Sequence, residues 1–236
     1  MRDHEPLLAA HRRAPEGGEG REVGRVESAG VGEHAALGDI RRVHAVEQEH
    51  RVDTCEVARL EQYTFVPMDI NTACRLGDAI ADSGVPAEEL TMLLTPDLWT
   101  FWLTGTRGAE LTIAGTTSLI DVLGRSWDLD VAGALGIDPR VLPALEMPGS
   151  TAGPLLGRLA QRIGVGDEVP VIRTAAHDTA SAVAAIPGAG RLAFISAGTW
   201  ALVGVESPAP VLTDEAFGAG FTNEIGATGQ ILLMRN

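Results

Sequence analysis

The 236-residue sequence predicts an α/β fold, on two observations. Between 71 and 163, apolar residues recur at helical spacing, and Pro and Gly bound the segments. From 169 onward, short apolar runs at 169–172, 191–196 and 200–205 are typical of strands, and the small residues of 180–186 favour a helix between them. The alternation predicts a sheet on which a helix packs.

Five helices are predicted before the first strand. Asn71 can cap the first helix and Gly84 can end it, while Pro86 and Pro96 stand where helices open. The predicted helices cover 71–84, 86–94, 96–103 (closed by Gly105), 126–136 and 153–163. Trp99, Phe101 and Trp102 of the third helix are predicted to lie in the core, since large aromatic side chains are usually buried there.

Two further features are predicted at the carboxyl end of the chain. The run 169–172 breaks at His177-Asp178-Thr179, where the next helix begins. The runs 191–196 and 200–205 are joined by Ala197-Gly198-Thr199, which predicts a hairpin with glycine in its turn.

Composition excludes several classes of function. The net charge is −14, all 18 basic residues are Arg, and this acidic balance disfavours a nucleic-acid partner. No apolar run is long enough to span a membrane, and the first twenty residues lack the apolar segment of a secretory signal. Cys55 and Cys74 form neither a disulfide framework nor a metal spacing. We therefore predict a cytoplasmic protein; the sequence does not indicate its oligomeric state.

Residues 1–62 differ from the rest. They contain no Phe, Tyr or Trp and show no sustained period of 2 or 3.6. So little apolar surface does not offset the entropy of folding, which predicts that 1–62 is disordered or a misassigned reading frame rather than a regulatory tail.

Asp178 is the candidate catalytic residue. It stands between a strand and a helix, at the edge of the sheet where open α/β folds bind ligands. A carboxylate there can accept a proton from a substrate hydroxyl, and the flanking His177 and Thr179 can hydrogen-bond a polyol. The alternative is that Asp178 only caps the helix.

The turn Ser196-Ala197-Gly198-Thr199 is the candidate phosphate site. Its backbone N–H groups and the Thr199 hydroxyl can converge on one phosphate oxygen, and Gly198 permits close approach. The alternative is an ordinary hairpin turn. No Gly-rich loop ending in Lys-Ser or Lys-Thr is present, which excludes a Walker-type site.

Taken in order, these motifs resemble the FGGY carbohydrate kinases of the actin-like ATPase superfamily. The resemblance covers about 63–236. Four groups of residues carry it: Pro96-Asp97-Leu98 with Leu103-Thr104-Gly105, Glu110 and the stretch 114–119; Trp127-Asp128 with Leu135-Gly136-Ile137; the segment 176–183; and the segment 196–200. His177-Asp178-Thr179, Trp200, Thr222-Asn223-Glu224 and Arg235-Asn236 resemble the rhamnulokinase subgroup.

The resemblance implies an actin-like (ribonuclease H-like) fold and transfer of the ATP γ-phosphoryl group to the 1-hydroxyl of L-rhamnulose. Asp178 would be the proton acceptor. His177, Thr179 and Asn236 would contact substrate, and Gly198 and Thr199 would contact ATP. Mg²⁺ would bridge the phosphates, with no protein residue assigned to it.

Three alternatives remain at this stage. The chain can be another FGGY kinase that acts on xylulose, fuculose or glycerol, or a non-catalytic sugar-binding remnant. An actin-like chaperone ATPase is the third, although such proteins lack a polyol-facing carboxylate of this kind.

The chain also departs from the family pattern. The acidic phosphate hairpin that begins the family is not found in 1–62, and family members continue beyond the position of Asn236. We therefore expect an incomplete two-domain kinase: 63–188 as the rest of the first, sugar-binding domain and 189–236 as the start of the second, nucleotide-binding domain. Without the hairpin, a sheet edge is unpaired, and the 236-residue chain is expected to be inactive by itself.

Overall fold

The computed structural model describes residues 72–166, 168–187, 192–198 and 200–236. All of them belong to one compact unit, His44–Asn236. The expectations for 1–62, Asn71, Arg191 and Thr199 concern positions outside the described residues, and the division at 188 stays a prediction. Within the described part of the chain, no helix is both long and apolar enough to cross a membrane.

The first two helices end where glycine was expected to end them. Helix α1 (Ala73–Ser83) is followed by Gly84 at φ 59°, and α2 (Thr95–Thr104) is followed by Gly105 at φ 77°. Both glycines adopt the left-handed conformation that closes a helix at little steric cost.

The prediction of a helix at 86–94 is wrong. Only the 3-10 turn Ala87–Glu89 forms there, and Leu90 is already extended at φ −99°, ψ 151°. The N–H of Met92 donates to the carbonyl oxygen of Val141 at 2.8 Å, so this backbone pairs with a distant segment instead of with itself. Tertiary pairing overrides the local helical pattern.

The middle of the chain forms short strands and helices. Strand β1 (Ala109–Glu110) pairs in parallel with β4 (Leu145–Glu146), and β2 (Ile120–Asp121) pairs antiparallel with β3 (Ser126–Trp127). Helix α3 (Leu111–Ala114) follows β1 directly, and α4 (Leu129–Ala134) follows β3. The helix expected at 126–136 is therefore shorter, because Ser126 and Trp127 are strand and Asp128 caps α4 by accepting from the N–H groups of Asp130 and Val131.

The helix expected at 153–163 begins later than predicted. Its first residues belong to β5 (Thr151–Pro154), which pairs antiparallel with β6 (Pro170–Ile172), the strand expected at 169–172. Gly153 has φ 148°, a positive value that residues with a side chain rarely adopt, and helix α5 (Gly157–Ile163) starts only after it.

The carboxyl-terminal part is a four-stranded antiparallel sheet with a helix on one face. Helix α6 (Asp178–Ala184) precedes β7 (Ala193–Ala197), β8 (Ala201–Ser207), α7 (Asp214–Gly218), β9 (Thr222–Ile225) and β10 (Ile231–Arg235). The strand order is β7-β8-β10-β9, and the expected hairpin is present as β7 and β8.

Helix α6 packs on this sheet. Ala180 and Val183 of the helix contact Phe194, Leu232 and Met234 of the strands. Glycine is required opposite Phe194: a Cβ on Gly204 would lie 2.6 Å from its Cζ atom and 2.6 Å from the Cβ atom of Met234. The packing of Ala180 and Val183 on these strands positions α6, and therefore the residue that begins it, relative to the sheet.

The prediction that the aromatic residues of α2 lie in the core is wrong for its two tryptophans. Trp99 is 60% exposed and Trp102 is 37% exposed, with their rings packed edge to face at 5.1 Å. The residue that α2 buries is Asp97. A carboxylate that is hydrogen-bonded to β1 thus occupies the inward face, and the two tryptophans lie outward.

Candidate active site

Asp178 is the first residue of α6 and carries an exposed carboxylate. Its side chain is 96% exposed. Its Oδ1 atom accepts from the N–H of Thr179 at 2.7 Å and lies 3.4 Å from the Thr179 hydroxyl. The cap position of α6 is His177, so the alternative in which Asp178 serves as the helix cap is not what the structure shows. The carboxylate is left accessible to a substrate hydroxyl.

Hydrogen bonds to Glu110 and Thr112 fix the backbone before Asp178. The carboxylate of Glu110, 2% exposed, accepts from the N–H of Thr112 at 2.9 Å, from its hydroxyl at 2.6 Å and from the N–H of Ala176 at 2.9 Å. The Thr112 hydroxyl in turn accepts from the N–H of His177 at 3.2 Å. Two consecutive amides ahead of Asp178 are therefore held by the end of β1 and the start of α3.

His177 lies between carboxylates. Its side chain is 14% exposed, its Nδ1 atom lies 2.9 Å from Oε2 of Glu224, and its Nε2 atom lies 3.6 Å from Oδ1 of Asp178. The Nδ1 contact has the distance of an ion pair but not the alignment of a hydrogen bond, and neither atom has another hydrogen-bonding partner among the described residues. Burial lowers the pKa of His177, but Glu224 first and then Asp178 and Glu110 outweigh it, and the pKa is raised above 6.5.

A second buried carboxylate, Asp97, contacts the backbone of Glu110. Asp97, 2% exposed, accepts from the N–H of Glu110 at 2.9 Å through Oδ1, while its Oδ2 atom has no hydrogen-bond partner among the described residues. Burial raises the pKa of Asp97 to about 6, against the opposing effect of that backbone hydrogen bond. Arg173, 4% exposed, is the nearby cation.

The remaining predicted site residues fall into two places. Thr179 is 4% exposed and contacts Asp178, which gives it a role in orienting the carboxylate; its contact with a sugar stays a prediction. Asn236 lies at the other place, where its Oδ1 atom accepts from the N–H of Ala201 at the start of β8, next to the turn that contains Gly198. Thr199 lies outside the described residues. That the two places face each other across one cleft stays a prediction.

Gly198 is not required by the fold. Its φ lies outside the left-handed region, and a Cβ there would meet nothing nearer than the carbonyl oxygen of Trp200 at 4.0 Å. Its N–H donates to that same oxygen at 2.9 Å, so this amide is already used within the turn. The space beside Gly198 is open to a ligand, while its own N–H group is engaged.

Sequence reasoning assigned no role to Glu224 or Glu110 in this site. Glu224 belongs to a four-residue strand in which every residue is buried. A charged residue within so short a buried strand is a signal that the sequence does contain, since buried carboxylates need a partner. The partner itself, His177, was not identifiable because it comes from a different element.

The described residues do not form a metal cage. No group of three or more His, Cys, Asp or Glu among them could hold a metal ion.

Comparisons with known proteins identify similar sequences. Residues 83–185 match the N-terminal domain of the FGGY family of carbohydrate kinases. The chain is 36% identical over 146 residues to a rhamnulokinase of Halalkalibacterium halodurans, covering 62% of this chain and 31% of that protein. It is 38% identical over 156 residues to a rhamnulokinase of Bacteroides thetaiotaomicron, covering 66% and 32%. The chain thus spans about a third of the length of these relatives.

Solved structures share the fold. A xylulose kinase from Rhodospirillum rubrum superposes with a TM-score of 0.61 at 19% identity, covering 78% of this chain and 36% of that one. A gluconate kinase from Lactobacillus acidophilus superposes with a TM-score of 0.60 at 16% identity, covering 77% and 36%. The resemblance of the sequence to the FGGY carbohydrate kinases is confirmed, and the described residues have part of their actin-like α/β fold.

Proposed function

Starting from this FGGY carbohydrate kinase fold, we propose that the chain provides the sugar site of an ATP-dependent kinase that phosphorylates the 1-hydroxyl of L-rhamnulose. One observation carries the proposal. Asp178 is 96% exposed, whereas the other carboxylates of the site are buried: Asp97 and Glu110 are 2% exposed and Glu224 is 3% exposed. Among these four described carboxylates, Asp178 alone is accessible to a substrate hydroxyl.

The choice of sugar is supported by the relatives. Those that match at 36% and 38% identity are named rhamnulokinases. The motif His177-Asp178-Thr179 and the Trp200 after the turn are the residues of this chain that favour that subgroup. The solved structures match at lower identity and support the fold alone.

In the proposed reaction, Asp178 takes the proton of the 1-hydroxyl as its oxygen forms a bond to the γ-phosphorus. The bond from that phosphorus to the bridging oxygen of ADP breaks, and ADP leaves with its electron pair. The transition state is loose, so the protein mainly positions the reactants. Mg²⁺, when bound with ATP, neutralises phosphate charge.

This chain's own residues prepare the acceptor. Thr179 orients the carboxylate of Asp178 through its N–H at 2.7 Å. Glu110 and Thr112 fix the two preceding amides, so the acceptor does not have to be ordered during the reaction. ATP is proposed to bind at the turn, with Thr199 and the open side of Gly198 at its phosphates and with Asn236 beside it.

Two measurements test the proposal. Titration calorimetry of the 236-residue chain with L-rhamnulose is expected to show saturable binding, whereas L-xylulose, L-fuculose and glycerol bind more weakly. A preference for one of those three would replace rhamnulose with another substrate of the same family. No binding of any of the four sugars would contradict the sugar site.

Catalysis is tested in a chimera, because the chain spans about a third of its relatives. Residues 72–236 replace the matching segment of the Bacteroides thetaiotaomicron rhamnulokinase. Asp178→Asn in the chimera is expected to lower kcat by about 10²–10⁴-fold, since it removes a positioned base. Asp82→Asn, at an exposed position of α1, is the charge-matched control. Equal kcat values for the two variants would refute the role of Asp178.

A further inference from the structure

Glu224 is buried in a position that is costly for a carboxylate. It lies on β9, 3% exposed, opposite Leu232 of β10, which is fully buried. Moving a carboxylate from water into such surroundings costs several kcal/mol unless a cation or several donors compensate it. The compensating group is His177, whose Nδ1 atom is 2.9 Å away.

Hydrogen bonding and the helix start restrict the backbone of His177. Its backbone N–H donates to the Thr112 hydroxyl, and it occupies the cap position of α6 at φ −74°, ψ 119°. One ring nitrogen lies beside Glu224, and the other, Nε2, lies 3.6 Å from Oδ1 of Asp178. The three side chains form a row from the interior to the surface.

We propose that Glu224 is a positioning residue, which holds the imidazole of His177 so that its Nε2–H lies beside the carboxylate of Asp178 and the substrate hydroxyl. The inference rests on the proposed function, because it concerns the same sugar site. It adds a residue from β9, whereas the other groups of the site come from β1, α3 and the start of α6.

The charge state of His177 follows from its neighbours. The groups that face the ring are Glu224 from β9, Asp178 from α6 and Glu110 from β1, all acidic. Together they raise the pKa of His177 despite its burial. When the ring loses a proton at higher pH, Glu224 retains the one on Nδ1, and Nε2 changes from a donor to an acceptor. A hydroxyl or carboxylate beside Nε2 then loses its donor.

The experiment is an NMR titration of the 236-residue chain. His177→Gln identifies the ring signals of His177 among those of the six histidines. The ring pKa is expected to be raised in the wild type and to be lower in Glu224→Gln, because the substitution removes the opposite charge beside Nδ1. Glu215→Gln, at an exposed position of α7, removes the same charge elsewhere and is expected to leave this pKa unchanged.

The second readout is L-rhamnulose affinity as a function of pH. In the wild type, affinity is expected to fall as pH rises through the pKa of His177, and in Glu224→Gln the fall is expected at a lower pH. At pH 7, the variant is expected to bind about tenfold or more weakly, the loss typical of one hydrogen bond with a charged group. If Glu224→Gln does not fold, Glu224→Asp withdraws the charge by one methylene and is expected to shift both quantities in the same direction by less.

The outcomes are distinct. An unchanged pKa in both Glu224 variants refutes the positioning role even when the wild type binds the sugar. A lowered pKa with unchanged affinity and an unchanged pH profile also refutes it, because the pair would then be merely structural. If the wild type binds no sugar, the proposed function fails, whereas the pKa result still decides whether Glu224 controls the ring of His177.

Discussion

The substitution Asp97→Asn is expected to stabilise the protein at neutral pH, although it alters a buried hydrogen-bonded residue. Asp97 is 2% exposed, its Oδ2 atom has no partner among the described residues, and its pKa is raised from 3.8 to about 6. An acid whose pKa is higher in the folded state binds more protons there than when unfolded. Its folded-state advantage is complete below pH 3.8 and is lost as pH rises to about 6.

The magnitude follows from the size of the shift. A change from 3.8 to about 6 corresponds to about 3 kcal/mol of lost stability at pH 7.5, at about 1.4 kcal/mol per pKa unit. Asn keeps an oxygen that can accept from the N–H of Glu110 and carries no charge, so it avoids that loss. Part of the gain is offset because Arg173, itself buried, loses a neighbouring anion. We therefore expect a net gain of about 1–3 kcal/mol at pH 7.5.

The assay is thermal and urea unfolding at pH 5.0 and 7.5, with exposed Asp82→Asn as the control. A gain of about 1–3 kcal/mol corresponds to about 2–12 °C in Tm for a domain of this size. The gain is expected to be smaller at pH 5.0, where Asp97 is mostly protonated in the folded state. An Asn variant that is less stable than the wild type at pH 7.5, or equally stabilised at both values, would refute the reasoning.

Two further substitutions test the packing that supports the site. Gly204→Ala is expected to lower the free energy of unfolding in urea by about 1–3 kcal/mol, because its Cβ would lie 2.6 Å from Phe194. The control is Gly133→Ala in α4, where a Cβ would meet nothing within 4 Å, and it is expected to be neutral or stabilising. Equal costs for the two variants would contradict the close contact. Glu110→Gln is expected to lower the free energy of unfolding by at least about 2 kcal/mol, because an amide nitrogen would then face the donors that Glu110 accepts from. A loss no larger than that of Glu215→Gln would show that these hydrogen bonds contribute little.

Local chemistry determines the features that the sequence predicts correctly. The ends of α1 and α2 were identifiable because Gly84 and Gly105 supply the positive φ that closes a helix. The β7–β8 hairpin was identifiable from two apolar runs with a glycine between them. The helix that begins at Asp178 was identifiable because small residues follow the break in the apolar run 169–172.

The features that were missed depend on distant contacts. The expected helix at 86–94 gives way because Met92 pairs with Val141, and the tryptophans of α2 lie outward because Asp97 is hydrogen-bonded to Glu110. The role of Glu224 depends on His177, a residue of another element. Nothing in the spacing of either residue indicates this contact.

The carboxylate of Glu110 has a consequence for the chain between its partners. It binds amides at Thr112 and at Ala176, which are separated from it by 2 and 66 residues. The two ends of the segment between Thr112 and Ala176 are thus held by one carboxylate. The entropic cost of closing such a loop grows only slowly with its length. Insertions or deletions at the exposed Gly166, where a Cβ would meet nothing within 4 Å, are therefore expected to leave Asp178 in place. The segment between Thr112 and Ala176 can therefore change in length at such a position without moving the backbone that precedes Asp178.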